Sequence, residues 1–206
     1  MEQMIKPGLN IVRPSVIEAL REATRSCHAS LAASPSMSRL FDADYTIVEY
    51  RAHLSRLLGL FEPLERSVAY GRDLEAPGFG LRRSSDLRHD LRVMGVTPTE
   101  MDRLERCPER PSIAGANLRG YNYVILGSML GGKIIVRRLR AVLGPHASFR
   151  FYGDGNENYE QLWPSFCADI EEHWKNDTAA ICAAALRTFE DYGAWLSQPL
   201  PRKSER

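Results

Sequence analysis

Two features of the sequence could do chemistry: a histidine on the apolar face of one helix and a cluster of glycines inside another. His28 follows Ile17, Leu20 and Thr24 by 11, 8 and 4 residues and precedes Leu31 by 3. Those spacings put all five on one inward stripe of an α-helix. An imidazole so placed can hydrogen-bond within a core, or it can coordinate a metal through a ring nitrogen. Arg21 lies seven residues earlier on nearly the same face, about 10 Å along the axis at ~1.5 Å per residue. Its cation could meet an anionic group of a ligand held at His28, or reach solvent. His53 is offset from the apolar stripe of its own helix, and His89, His146 and His173 sit in polar company.

The second feature runs from Tyr121 to Val136, apolar enough for a buried helix yet with Gly127, Gly131 and Gly132 within six residues. Each glycine in a helix interior costs about 1 kcal/mol relative to alanine, roughly 2–3 kcal/mol for the cluster. Such a defect is kept where something approaches the backbone closely or where the helix bends. Gly127 and Gly131, four apart, share a face, and Gly120 lies near it. Close helix–helix contact through small residues explains the pattern. So does a flat ligand, such as a haem macrocycle, lying on a bare helix face. The pattern alone leaves both open. Other chemistries have no foothold. There is no GxxxxGK[ST] phosphate loop, no Gly-x-Ser-x-Gly elbow and no Glu-x-x-His pair for a di-iron bundle.

The elements that must position these residues are helices. Ser15 to Glu18, Thr46 to Glu49 and Thr97 to Glu100 each have the form of a capping box, with Pro98 at a first helical position. The first opens a helix to about Ala33. The second opens one that buries Tyr50, Leu54, Leu57, Phe61 and Leu64 at helical spacing, with Tyr45 and Tyr50 placed as a hydrophobic staple. A Gly/Pro-rich loop is expected over residues 70–85. A long helix is expected from about Ile113 to Leu143, stopped by Gly144-Pro145, and a final helical pair from about Tyr159 to Trp195 with its junction at Asn176-Asp177. No run alternates with a period of two. The expectation is one all-α domain over residues 14–197, with tails at 1–13 and 198–206.

With 206 residues, 44% hydrophobic and 26% charged, the composition is that of a globular protein. The net charge of +1 supplies no global attraction to nucleic acid or anionic lipid. The longest apolar stretch, Tyr123 to Val136, is shorter than the ~20 residues needed to span a bilayer, so no membrane partner is expected. Cys27, Cys107, Cys167 and Cys182 form no CxxC pair, and Met1 to Asn10 carries Glu2, Pro7 and Gly8 rather than an apolar leader core. The expectation is free thiols in a cytoplasmic protein.

Taken together, Leu20 to His28 and, about 100 residues later, Tyr123 to Gly132 resemble the haem oxygenase family, in particular its bacterial, biliverdin-producing branch associated with bacteriophytochromes. The resemblance covers roughly residues 15 to 196. It implies a helical bundle with haem sandwiched between a proximal helix and a kinked, glycine-rich distal helix. It implies His28 as axial iron ligand, Arg21 as propionate partner, and Gly127, Ser128, Gly131 and Gly132 lining the distal face, with Ser128 in the catalytic apparatus and Tyr123 near the haem edge. The chain departs from the pattern at three positions. Ala32 stands where many members have an acidic residue four after the histidine. Ser128 stands where animal enzymes have Asp, and Leu126 where bacterial members often have Glu.

The implied activity is opening of haem b, substrate and prosthetic group at once, to biliverdin with release of CO and iron. It uses O2 and an external electron donor, a reductase or ferredoxin, since the chain has no flavin or nicotinamide fingerprint. A bacteriophytochrome is the implied recipient of the bilin. Ala32 and Leu126 motivate an alternative, a non-catalytic haem carrier or sensor on the same fold. A helical interaction protein whose glycines merely allow close packing is the third reading.

Overall fold

The computed structural model describes residues 14–68, 83–153 and 159–198. The expected tails, apart from Gln198, and most of the expected 70–85 loop lie outside the described residues. Eight α-helices are described: α1 (Val16–Ala32), α2 (Pro35–Ser38), α3 (Ile47–Ser67), α4 (Arg83–Val93), α5 (Pro98–Asp102), α6 (Gly115–Leu143), α7 (Tyr159–His173) and α8 (Thr178–Leu196). No strand forms among the described residues; a single bridge joins Val68 and Ile113.

The expected caps form. Ser15 accepts from the Glu18 N–H at 3.1 Å and the Glu18 carboxylate accepts from the Ser15 N–H at 2.9 Å. Thr46 with Glu49, and Thr97 with Glu100, repeat that exchange. Each satisfies backbone donors that a helix start leaves unpaired, worth about 1 kcal/mol. Tyr45 and Tyr50 are both buried at the start of α3, as a staple requires. Helix α6 runs unbroken for 29 residues and stops at Gly144, whose φ of 69° closes the turn.

Two expectations are corrected. Residues 83–85, placed in a loop, are the first turn of α4. This helix buries Arg83, Asp86, Leu87, Asp90 and Leu91, a helical spacing disguised by charges that pair internally instead of facing water. His53, expected beside the apolar stripe of α3, is buried within it at 7% exposure.

Helix α8 is the hub of the fold, packing along α6 and α1 and touching α3. The contact with α6 is close because Gly120 has no side chain: a Cβ there would sit 2.5 Å from the Cβ of Ala184 and 2.5 Å from the Ile181 carbonyl oxygen. Helices α1 and α6 both lean on α8 yet scarcely touch each other. The buried side chains accordingly form two clusters. One gathers α3, α4, residues along the whole of α6 from Leu118 to Leu139 and the end of α8; the other gathers α1, residues 123–129 of α6, α7 and Ile181 to Phe189 of α8. Between them the space flanked by α1 and α6 stays open.

Candidate functional site

That space is a cavity of about 700 Å³, within the ~300–1,000 Å³ typical of small-molecule and cofactor sites. α1 contributes Arg21, Thr24, Arg25 and His28, and α6 contributes Tyr123, Gly127, Ser128 and Gly131. Capped at Ser15 and anchored through buried Val16, Ile17 and Leu20, α1 presents His28 to the cavity rather than to the core. The imidazole is exposed there, set edge-on to Phe189 of α8 with ring centroids 6.1 Å apart and planes at 83°. Neither ring nitrogen hydrogen-bonds to a described residue. Ala32, four residues on, lies exposed on the cavity wall and offers no carboxylate.

The glycines of α6 divide into two kinds. A Cβ at Gly131 would meet nothing within 4 Å, and one at Gly127 would only touch the Trp163 ring at 3.7 Å. Both face the cavity, so their missing side chains are space left for something else. Gly132 faces elsewhere. A Cβ there would lie 2.1 Å from the Tyr152 carbonyl oxygen, and the residue is absent from the cavity wall. Its expected place on the distal face is therefore corrected: Gly132 lets the 149–153 segment seat on α6. Gly120 likewise serves the α6–α8 contact. Close packing thus accounts for Gly120 and Gly132, while Gly127 and Gly131 leave a bare stretch of α6 facing the cavity.

Ser128 is exposed at the cavity, but its hydroxyl donates to the Ile125 carbonyl at 2.7 Å. Thr24 donates to the Leu20 carbonyl at 2.7 Å in the same way. Tyr123 is nearly buried, tilted against Trp163 at 5.7 Å between centroids. Leu126, at 2% exposure, belongs to the core and not to the cavity.

Positive charge collects around the cavity. Arg21 and Arg25 are exposed on its α1 side, Arg25 in a surface ion pair with Glu22. Arg83 lies in its wall, paired with buried Asp86 at 2.6 Å and stacked over Phe151 at 4.6 Å. Arg25 was not picked out from the sequence, although its place three residues before His28 was the signal. The wall also includes Phe151 and Tyr152. Buried Asp90 pins that segment, accepting from the backbone N–H groups of Arg150 and Phe151 at 3.0 and 2.8 Å and from the Ser148 hydroxyl at 2.5 Å. Burial pushes the Asp90 carboxyl up from its ordinary range while those donors pull it down. Tyr152 and His53 form a pair no local signal could have announced. The phenol oxygen and His53 Nε2 are 2.6 Å apart across 99 residues of sequence, and His53 Nδ1 is 3.4 Å from the Ser36 hydroxyl. Burial lowers the His53 imidazole to about 4 and raises the Tyr152 phenol well above its usual range. The described residues hold no cluster of three metal-ligating side chains.

Known proteins share this architecture. The heme oxygenase of Leptospira interrogans superposes with a TM-score of 0.67 at 17% identity, over 89% of this chain and 99% of that one. Heme oxygenase-1 of the cyanobacterium Synechocystis, solved in complex with heme, gives 0.67 at 15% identity, over 89% and 91%. At such identities the likeness is one of fold. No curated protein matches the chain. The family model described as Heme oxygenase matches residues 15–198, nearly the whole of the helical body, and the chain belongs to the haem oxygenase family.

Proposed function

We propose that this protein binds haem in the α1/α6 cavity through His28 and opens the macrocycle to biliverdin, with release of CO and iron. The observation that carries the reading is the convergence of His28 and the bare face of α6, at Gly127 and Gly131, on one cavity. The residues fit the group. A flat, largely apolar plate with two carboxylates suits a cavity that is mainly apolar and bordered by arginines. It also suits an imidazole whose nitrogens are not engaged by described residues, and a metal that needs only one protein donor.

Haem supplies the iron–porphyrin redox chemistry and is itself the substrate, with O2 and electrons from an external reductase or ferredoxin. The chain's part is placement. Phe189, edge-on, fixes the plane of the His28 ring. With Ala32 in place of a carboxylate, the second imidazole nitrogen is left to backbone or water, so His28 keeps the modest donor strength of a neutral imidazole. Arg21 and Arg25, seven and three residues before His28, hold the propionates and thereby set how the plate is turned. Gly127 and Gly131 let the α6 backbone lie against the plate and exclude bulk water. Tyr123 closes one edge. Ser128, its proton committed to Ile125, offers the cavity only acceptor lone pairs. The resemblance carried by Leu20 to His28 and Tyr123 to Gly132 extends the proposal to the branch that supplies biliverdin to a bacteriophytochrome.

The test is a haem titration of the protein followed by ascorbate in air. We expect a shifted Soret band that then decays as bilin absorption grows, and a His28→Ala variant that loses the axial-histidine spectrum. A Soret band that persists under reductant and oxygen would leave the carrier or sensor reading in its place.

A further inference from the structure

We propose that the rim of the α1/α6 cavity formed by Phe41, Leu130 and Ile134 is a docking surface for an anionic lipid bilayer. Large apolar side chains that stand far out of the fold are few. Among the described residues they are Phe41, Val48, Val93, Leu130 and Ile134, and Ile134 is 68% exposed. Val48 and Val93 have no part in the cavity wall, whereas the other three all line it. Leu130 and Ile134 lie four apart on α6, and Phe41 is held beside that helix, its carbonyl accepting from Arg138 Nε at 3.0 Å. Cations flank this apolar rim. At about 100° per residue around the helix axis, Lys133 and Arg137 fall to one side of Leu130 and Ile134, and Arg138 falls to the other. Lys133 and Arg137 are exposed, and the 29 residues of α6 include no Asp or Glu. Asp42, next to Phe41, is engaged by Arg39 at 2.9 Å.

Apolar side chains ringed by Lys and Arg are what a bilayer interface takes. The apolar groups enter the boundary between headgroups and acyl chains, and the cations lay their stems along it with their heads among lipid phosphates. A protein partner needs a packed, shape-matched centre. A bilayer needs no complementary shape, so separate side chains projecting around an open slot suit it better. The net charge of +1 hides this face because it is a sum over the whole chain, while a charged surface responds to the side turned toward it. No described helix is long and apolar enough to cross a membrane, so the contact is peripheral. It turns the cavity mouth toward the phase in which a flat apolar plate concentrates. That consequence rests on the haem-binding reading above; the contact itself stands on the rim.

The experiment is co-sedimentation of the full chain with vesicles of phosphatidylcholine alone and of phosphatidylcholine mixed with phosphatidylglycerol. The protein should partition onto the anionic vesicles roughly tenfold more strongly than onto the neutral ones, and less so as salt is added. Ile134→Ser should weaken that binding roughly tenfold through lost apolar burial. The double variant Lys133→Gln, Arg137→Gln should weaken it by a similar factor, roughly tenfold, while binding haem from solution as wild type does. All three side chains are exposed, so thermal melts of the variants should match wild type. Haem preloaded into anionic vesicles should pass to wild type at a rate that rises with protein concentration, as transfer by contact requires. To the double variant it should pass at the slower, concentration-independent rate set by escape from the bilayer. No binding to anionic vesicles would overturn the proposal and leave the rim to a protein of acidic surface. Equal binding to both compositions, or binding that neither variant diminishes, would overturn it as well. A chain that sediments with the vesicles yet gives no Soret shift with haem would sink the haem reading and leave the contact standing. One that takes haem from solution but stays off the vesicles would sink the contact alone.

Discussion

At the scale of single residues, three glycines of α6 that look alike in sequence, Gly120, Gly131 and Gly132, carry opposite predictions. Gly131 has open space where a Cβ would go, so Gly131→Ala should stabilise the ligand-free protein by about 0.5–1 kcal/mol through helix propensity alone. The same methyl stands where the plate is proposed to lie, so haem affinity should drop. Gly132→Ala must push against the Tyr152 carbonyl, and Gly120→Ala against the backbone of α8. Both should destabilise by roughly 2 kcal/mol or more, since neither obstacle is a side chain free to swing away. Thermal melts of the ligand-free variants and spectral titrations separate the two classes. A destabilised Gly131→Ala would place that residue in the packing and remove half of the support for a ligand-facing helix.

At the scale of elements, α4 matters more than its hydrophilic sequence suggests. It packs Leu87 and Leu91 into the core it shares with α3 and turns Arg83, Asp86 and Asp90 inward. Asp90 holds the 148–151 backbone and Asp86 holds Arg150 at 2.8 Å, so the cavity wall at Phe151 and Tyr152 is fixed from behind by carboxylates. Asp90→Ala should cost on the order of 3 kcal/mol, because it strips a buried carboxylate from three donors that water cannot then reach. Asp90→Asn, which retains one acceptor, should cost less. Denaturant midpoints measured with an unchanged slope test this ordering; equal costs for the two variants would mean that the carboxylate contacts do not carry the segment.

At the scale of the whole molecule, the buried side chains form two groups joined through α6 and α8, with the open gap flanked by α1 and α6. A ligand in that gap ties the two together and stabilises only the folded state, by about 2.7 kcal/mol at a concentration 100 times its dissociation constant. Haem should therefore raise the melting temperature. It should also slow amide exchange in α1 and the middle of α6 more than in α3, which hydrogen-exchange mass spectrometry would read directly. Acid acts on the fold through His53. Its folded value of about 4 lies below the 6.5 of an unperturbed imidazole, so the unfolded chain binds the extra proton in that window. The contribution is complete above pH 6.5 and is lost progressively as pH falls to 4, worth roughly 3 kcal/mol. His53→Phe should show a shallower loss of stability than wild type between those values; parallel curves would place the acid sensitivity elsewhere.

Much of this was legible in the sequence because its causes are local. A capping box needs four residues, and Ser15, Thr46 and Thr97 each announce a helix start. An apolar stripe needs a dozen, and it puts His28, Thr24 and Arg21 on one face before any partner is known. Gly127 and Gly131 could be paired by their spacing of four. What only the tertiary structure decided was what each face meets. It assigned Gly120 to α8, Gly132 to Tyr152 and Gly131 to open space. It buried the charges of α4 against the 148–152 segment and joined His53 to a phenol 99 residues away. Periodicity fixes direction around a helix axis, whereas the identity of the neighbour depends on how whole helices pack. A glycine, a buried aspartate or a histidine reads the same in sequence whether it faces a backbone, a ligand or a hydroxyl.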